Sequence, residues 1–229
     1  LGRVHETTLS LKNNVAMLLS QAGRNEEALV RLREVDMRRE SAQGKSDVTV
    51  QAGKTNIGNV LVKLGRLSEA EHYLPPSMAE VIRLTDPASG FALNAKYHTG
   101  NLRRAQGRFD EAAKLYQDIM DVRLTMQVPE EPLLALVRDQ QGLNLLAQGK
   151  IDSARAMLKA ALEDSRKVAS NQTALTIKVQ SHYALTLPSN GPAPNAISML
   201  TETITQMREE QGVELEVQIS APTALARDS

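Results

Sequence analysis

Residues 13–29, NNVAMLLSQAGRNEEAL, indicate the end of one helix, a glycine stop and the acidic start of a second helix. The same order of residue types returns as NVLVKLGRLSEAE, NLRRAQGRFDEAA and NLLAQGKIDSARA, and in a weaker form as LTLPSNGPAPNAI. The glycines of these segments stand 42 residues apart, at Gly23, Gly65, Gly107, Gly149 and Gly191. Because the chain has only 13 glycines, five in one register indicate an internal repeat.

Two more columns of small residues share this period. One lies five residues after each glycine and the other seven residues before it: Ala28, Ala70, Ala112, Ala154 and Ala196, and Ala16, Gly58, Gly100, Gly142 and Ala184. A glycine just beyond a helix takes the left-handed conformation without steric cost. Small side chains also let two helix axes approach closely. Each copy is therefore predicted to be a tightly packed helical hairpin that turns at its glycine.

Charged residues mark the start of the second helix in each copy. A basic residue follows the glycine at Arg24, Arg66, Arg108 and Lys150. Two residues later stand Glu26, Ser68, Asp110 and Asp152, which suit a first helical turn either as caps or by meeting the positive end of the helix dipole.

The apolar spacing predicts five first helices and five second helices. The first helices are expected near 5–22, 47–64, 89–106, 131–148 and 172–187, and the second near 25–41, 67–84, 109–126, 151–168 and 194–211. Pro75 and Pro76 fall inside one second helix, where a kink or a restart is expected. Since one hairpin cannot bury its own apolar stripe, the copies are predicted to stack into a solenoid with a concave and a convex surface.

Composition restricts the function classes. The 27 basic and 27 acidic residues balance, so no overall field favours nucleic acid or an anionic membrane. No apolar run approaches the length of a membrane span. The chain has no cysteine, which excludes disulfides and thiolate chemistry and fits a reducing compartment, so a cytoplasmic location is expected.

Motifs for chemistry are weak. GKT at 53–55 lacks the preceding glycine and strand of a phosphate-binding loop, and the four histidines do not have the spacing of a metal site. The paired carboxylates lie at helix ends, where the dipole or solvent explains them. We therefore expect no enzyme activity, no cofactor and no metal.

Four residues after each alanine of the repeat stands a large side chain: Leu32, Leu74, Tyr116, Leu158 or Leu200. The whole pattern of small residue, glycine, alanine and large residue resembles the tetratricopeptide repeat. The 42-residue period is similar to the subclass found in kinesin light chains. The resemblance implies an all-α fold, a right-handed α-solenoid of five antiparallel two-helix repeats over residues 1–212. For the tail, 213–229, three interpretations stay open: a decayed sixth helix, an extended segment docked on the last repeat, or disorder.

The resemblance also implies that the first helices line a concave, partner-binding groove. The residues expected to face it are Asn13, Met17, Gln21, Thr55, Asn59, Lys63, Tyr97, Asn101, Arg104, Asp139 and Leu143. A spaced series of asparagines can bind the backbone of an extended peptide, because each amide both donates and accepts. The alternative is that Asn59 and Asn101 brace the neighbouring helix.

A second candidate surface is a column with one cation per repeat. Lys12, Lys54, Lys96 and Arg138 occupy a position that is usually a large apolar residue in this family. They could form a ladder for an acidic or phosphorylated partner, or a solvated row whose aliphatic stems pack between the repeats.

These features favour a non-catalytic protein-interaction domain that binds a peptide or a helical partner in its groove, as part of a larger scaffold or signalling protein. The alternative is a peptide-sensing regulatory domain that controls an attached kinase, ATPase or DNA-binding domain. The expected partner is a protein or peptide. Charge neutrality and few aromatic residues argue against nucleic acid, and no membrane or metal partner is expected.

Overall fold

The computed structural model describes residues 6–126, 132–168, 173–188 and 195–211. Within these residues the chain forms helices and no strand. The helices are α1 Glu6–Gln21, α2 Asn25–Gln43, α3 Val48–Lys63, α4 Leu67–Glu71, α5 Leu74–Leu84, α6 Gly90–Ala105, α7 Phe109–Met126, α8 Pro132–Ala147, α9 Ile151–Lys167, α10 Thr173–Ala184 and α11 Ala196–Gln211. The predicted hairpins are confirmed, with α1, α3, α6, α8 and α10 as first helices.

The first helices α1, α3, α6 and α8 all end in the same way, at the glycine of their repeat. Gly23 has φ +80°, its N–H donates to the Ser20 carbonyl at 3.2 Å, and the N–H of Arg24 donates to the Leu19 carbonyl at 2.9 Å. The same pair of bonds recurs around Gly65, Gly107 and Gly149. This arrangement satisfies the last carbonyls of the helix, and it needs a residue that tolerates positive φ. Gly191 lies outside the described residues.

The second helices begin on the basic residues rather than on acidic caps. Arg24, Arg66 and Lys150 occupy the N-cap positions of α2, α4 and α9 without a capping side-chain hydrogen bond. The acidic residues lie in the first turn, so the capping interpretation is wrong for these helices and the interaction with the dipole remains.

The small-residue column fixes the spacing of the two helices in each hairpin. A Cβ added to Gly58 would lie 2.4 Å from Cγ of Leu74, and one added to Gly142 would lie 2.4 Å from Cγ of Leu158. At Gly100 the added atom would lie 2.7 Å from Cε1 of Tyr116. The glycines and the large residues of the repeat pattern are therefore packing partners, one from each helix of the hairpin.

The second helix of the second repeat is broken, as its two prolines predict. At His72 and Tyr73 the α-helical hydrogen bonds give way to a tighter turn, in which their N–H groups donate to the carbonyls of Glu69 and Ala70, and α5 then begins with Pro75 and Pro76 in its first turn. A proline there loses no intrahelical hydrogen bond, because the first N–H groups of a helix have no partner within it.

The hairpins stack side by side, and their buried apolar side chains form three clusters along the stack. Each second helix packs on the first helix of its own repeat and on that of the next repeat, as α2 does with α1 and α3. Fully buried side chains include Leu61, Leu102, Ile119 and Leu158. Helix α11 packs on α10 and is the last described element, so the predicted tail, 213–229, lies outside the described residues.

Candidate partner-binding groove

The first helices form the inner side of the solenoid. The backbones of successive first helices approach one another, from α1 with α3 to α8 with α10, whereas within the described part of the chain the second helices meet only through side chains, as in the ion pair of Arg33 with Glu69. Because elements on the inner side of a curved stack lie closer together than those on the outer side, the first helices line the concave surface. We refer to the exposed sides of α3, α6, α8 and α10 as the groove.

Polar bonds join the first helices with a constant offset of 43 residues. Asn56 Nδ2 donates to Asn13 Oδ1 at 3.1 Å, and Lys63 Nζ donates to Ser20 Oγ at 2.9 Å. His182 Nδ1 lies 2.6 Å from Asp139 Oδ1. These bonds hold the helices beside the groove at fixed spacing, since each one spans a single repeat boundary.

Two residues expected in the groove are buried instead. Asp139 is 0% exposed and also accepts a hydrogen bond from Gln140, and Thr55 is 2% exposed with its hydroxyl donating to the Gln51 carbonyl. A partner has no access to either side chain, so the expectation of direct contact is corrected for both. Thr55 faces α5, with its hydroxyl 3.4 Å from Ser77 Oγ, and Asp139 faces α10 through His182.

Tyr97 and Asn101 lie beside the groove but are largely occupied by contacts within the protein. Tyr97 is only 8% exposed, and burial raises its pKa to about 12. Asn101 is half-buried, and its Oδ1 accepts a hydrogen bond of 2.8 Å from the hydroxyl of Tyr116, which is completely buried. Asn101 therefore braces its own hairpin, which is the second of the two roles considered for it.

Other predicted groove residues remain accessible. Asn13, Met17, Asn59 and Leu143 are half-buried, and Gln21 is exposed. The Asn13 amide oxygen is already bonded to Asn56. Among the described residues Asn59 has no side-chain hydrogen-bond partner, which leaves its amide available to a ligand.

The proposed ladder of cations is largely neutralised by the chain itself. Lys12 lies 3.4 Å from Glu34, Lys54 lies 3.0 Å from Glu40, and Arg138 pairs with Asp164. Lys96 is half-buried and has no carboxylate within ion-pair distance in the described part of the chain. One free member does not make a ladder, so the solvated, internally paired alternative describes this column.

Three other cations on the inner side have no carboxylate partner among the described residues: Lys63, Arg104 and Lys178. Lys63 donates to Ser20, and Arg104 Nη2 donates to Gln140 Oε1 at 3.1 Å. Burial lowers the pKa of Lys63, and the Lys178 ammonium lowers it further. The effect of Lys178 requires the two ammonium groups to lie within about 10 Å of each other, because salt screens the interaction of charges that are further apart. The groove therefore has a local excess of positive charge.

His98 lies in the same region and is held neutral. Its ring packs edge-on against Tyr97 with the ring centres 5.1 Å apart, and its Nδ1 is buried without a hydrogen-bond partner. Burial lowers the pKa of His98 to about 4, and the nearby Lys63 ammonium adds to the shift. Protonation of His98 is therefore unfavourable in the folded chain.

His98 is expected to make the folded chain sensitive to acid. Since the unfolded chain binds a proton near pH 6.5 and the folded chain near pH 4, stability falls as the pH decreases between these values. The loss attributable to His98 should approach about 3 kcal/mol at pH 4. The measurement is urea unfolding of the natural chain and of His98→Gln at several pH values. Glutamine is chosen because Gln140 occupies the position of His98 in the next repeat. An equal acid loss in both proteins would contradict the assignment.

Sequence reasoning missed Lys178 and the pairing of Asp139 with His182. Lys178 shares its repeat position with Ser10, Ala52, Asn94 and Leu136, so no column marks it. Its nearness to Lys63, which the electrostatic effect on the Lys63 pKa indicates, has no periodic signal in the sequence. The Asp139–His182 pair does follow the 43-residue offset, and a search for complementary polar residues at that offset would have found it.

The described residues were also compared with the requirements of a metal site and of a membrane span. No group of three or more His, Asp and Glu side chains there is placed to hold a metal ion. None of the described helices is both long and apolar enough to cross a bilayer. What the groove offers is cationic groups, a free amide and half-buried apolar side chains along curved helices.

These features define an α-solenoid of stacked helical hairpins with an accessible inner surface. The chain contains tetratricopeptide repeats, since models of that repeat match residues 8–35 and 91–167. The resemblance inferred from the glycine and alanine columns is thereby confirmed. The family supports assignment of the chain to the protein-interaction scaffolds.

Solved structures share the fold at low sequence identity. The nearly identical TPR-like repeats of a kinesin light chain from Podosopora anserina match with a TM-score of 0.65 at 16% identity, over 92% of this chain and 100% of that one. BtubC (BKLC) from P. vanneervenii matches with a TM-score of 0.70 at 14% identity, over 97% and 88% of the two chains. No curated protein matches the chain by sequence. The solenoid is thus of the kinesin-light-chain-like type in its fold.

Proposed function

We propose that the chain is a non-catalytic interaction domain that binds an extended, acidic segment of a partner protein in its groove. The observation that carries the proposal is the set of inner-side cations without a counter-charge, Lys63, Arg104 and Lys178. Elsewhere most basic side chains are paired with carboxylates of this chain, as at Arg39–Glu6, Arg103–Glu71 and Arg138–Asp164.

The lowered pKa of Lys63 supports an anionic ligand. A charged ammonium that is partly desolvated and close to a second ammonium is electrostatically unfavourable in the free protein. A carboxylate placed between Lys63 and Lys178 would relieve both effects. Binding then gains from the contact itself and from removal of the repulsion, and it should weaken as salt is added.

Asn59 supports an extended backbone as the form of the ligand. It stands near Lys63 on α3, one turn earlier, and its amide is free of other partners among the described residues. An amide group can donate to one peptide carbonyl and accept from one peptide N–H at the same time. The cations would recognise the acidic side chain, and Asn59 would hold the main chain beside it.

The test uses fluorescein-labelled decapeptides of alternating glutamate and alanine, and of alternating glutamine and alanine. In fluorescence anisotropy at low salt, the acidic peptide should bind and the neutral peptide should bind at least tenfold more weakly. Replacing Lys63 and Lys178 by methionine should weaken acidic-peptide binding by roughly tenfold, which corresponds to about 1.4 kcal/mol.

The matched control is Lys159→Met, which removes an exposed cation from the second helix α9 and leaves the groove unchanged. Its affinity should equal that of the natural chain. Equal weakening by the control and the groove variant would show a general charge effect and overturn the proposal. Asn101→Ala is unsuitable as a probe, because it would also leave the buried Tyr116 hydroxyl without a partner.

A further inference from the structure

The junction between the first and second repeats lacks an apolar pair that later junctions contain. In later repeats two facing positions hold apolar residues that pack in one cluster: Met120 with Val137, and Leu162 with Val179. The same two repeat positions at the first junction hold Asp36 and Gly53. A Cβ added to Gly53 would lie 3.7 Å from Asp36 Oδ1. A carboxylate therefore faces a residue without a side chain where later junctions place two apolar side chains.

A recess of about 580 Å³ lies at this junction, on the side of the second helices. It is bounded by α2 and Tyr73, and Asp36 and Met37 are among the residues that line it. Tyr73 immediately precedes α5, where two prolines shorten the second helix of the second repeat. The volume lies within the range of about 300–1,000 Å³ that is usual for sites of small organic groups. The recess is therefore large enough to receive a long side chain of another molecule.

Asp36 differs from the other charged groups that line the recess, because those groups have ion-pair partners. Arg33 lies 3.1 Å from Glu69, and Lys45 lies 3.5 Å from Glu40. Asp36 is half-buried, and its Oδ1 is buried without a hydrogen-bond partner in the described part of the chain. A buried acceptor without a donor costs free energy. Asp36 is therefore the side chain of the recess that gains most from a new donor.

The cations near Asp36 do not compensate its charge. Lys54 acts on Asp36 electrostatically, but its ammonium is paired with Glu40 at 3.0 Å. Arg39 also acts on Asp36, and it is paired with Glu6 at 2.8 Å. Burial, with a smaller contribution from Glu40, raises the pKa of Asp36 and outweighs the effects of both cations, which lower it. A cation placed directly against the carboxylate would remove this imbalance.

The walls of the recess favour a guanidinium over an ammonium group. A guanidinium has flat faces that stack on aromatic rings, and its planar N–H groups match the oxygens of a carboxylate. An ammonium is a compact, strongly hydrated point charge. Tyr73 is half-buried and Met37 is 69% exposed, so both present apolar surface beside Asp36. One carboxylate, one aromatic ring and one thioether therefore fit an arginine side chain best.

We propose that the recess between α2 and Tyr73 binds an arginine side chain of a partner protein. The guanidinium donates to Asp36, and its faces lie against Tyr73 and Met37. A protein is the source of the arginine because the repeats place the chain among the protein-interaction scaffolds. The recess lies on the side of the second helices, whereas the ligand proposed for the groove is acidic and binds along the first helices. The two sites are therefore independent, and each can be tested without the other.

The test is an amide NMR titration with N-acetyl-arginine methylamide and with the same derivatives of lysine and citrulline. Citrulline has the shape of arginine without its charge. The arginine probe should cause saturable shift changes around Gly44 and Tyr73, which line the recess. The citrulline probe should bind at least tenfold more weakly, because the charge-assisted hydrogen bond is lost. Asp36→Asn should weaken binding of the arginine probe by a similar factor.

Two further variants serve as controls. Asp110→Asn removes an exposed carboxylate from α7 and should leave the affinity unchanged. Asp36→Met introduces the residue found at the equivalent Met78 and Met120, so it should keep the helical circular dichroism and abolish binding. Retained binding in Asp36→Met, or equal weakening by Asp110→Asn and Asp36→Asn, would overturn the proposal. Equal binding of the lysine or citrulline probe would also overturn it, and so would tighter binding of spermidine, which would indicate a site for free polyamines.

Discussion

Gly142→Val is expected to lower the free energy of unfolding by about 3 kcal/mol, the upper end of the usual cost of overpacking a core. The reason is that a Cβ at this position would lie 2.4 Å from Cγ of Leu158, a side chain that is completely buried. The helices α8 and α9 must separate to accept it. Urea unfolding followed by circular dichroism at 222 nm measures the change.

The matched control is Gly90→Val, because no atom lies within 4 Å of a Cβ added there. Its stability should change by less than about 1 kcal/mol, the range of helix propensities. Combining Gly142→Val with Leu158→Ala should cost less than the sum of the two single changes, since the valine partly fills the space that the leucine leaves. Additive losses, or an equal loss at Gly90, would show that helix contact at Gly142 does not set the spacing.

Asp139→Ala is expected to destabilise the chain by roughly 3 kcal/mol, because it leaves buried hydrogen-bond donors without their acceptor. Asp139 is 0% exposed, lies 2.6 Å from His182 Nδ1 and accepts a bond from Gln140. These contacts join α8 to α10, so amide hydrogen exchange should accelerate most in α10. The measurement combines urea unfolding with hydrogen exchange.

Asp152→Ala provides the control for this change. The Asp152 side chain is 95% exposed, and its ion pair with Arg155 lies on the surface, where such pairs contribute at most about 1 kcal/mol. The free energy of unfolding of Asp152→Ala should therefore be close to that of the natural chain. If Asp139→Ala were as mild as this control, the pair with His182 would not hold the last repeats together.

Most of the fold could be predicted because the repeat places the same physical requirement at the same position in every copy. A positive φ at Gly23 needs glycine, and the same requirement recurs at Gly65, Gly107 and Gly149. The small residues opposite Leu74 and Leu158 follow equally from how closely the helices approach. Helix ends follow from these glycines, which is why the expected and observed bounds agree closely.

The groove could be predicted less well, because its composition depends on how the repeats are tilted and curved. A small rotation of a first helix decides whether a residue such as Thr55 faces a partner or a neighbouring helix, here Ser77 of α5. Lys12 and Arg138 could be recognised as a column, but their carboxylate partners stand at different offsets in the sequence. The approach of Lys178 to Lys63 spans several repeats and leaves no periodic signal.

The curved inner surface thus combines a rigid, internally bonded frame with a few unpaired groups. The frame consists of the bonds between first helices, and the unpaired groups are Asn59 and the cations near Lys63. In a scaffold of this kind, rigidity keeps the recognition groups in place before the partner arrives, which reduces the entropy lost on binding.

The most direct test of the account is an amide NMR titration of the isotope-labelled chain with the alternating glutamate and alanine decapeptide. The account predicts chemical-shift changes that concentrate on α3, α6, α8 and α10, with the largest near Asn59, Lys63 and Lys178. Changes confined to the second helices, or shifts that spread evenly over surface lysines such as Lys159, would contradict it.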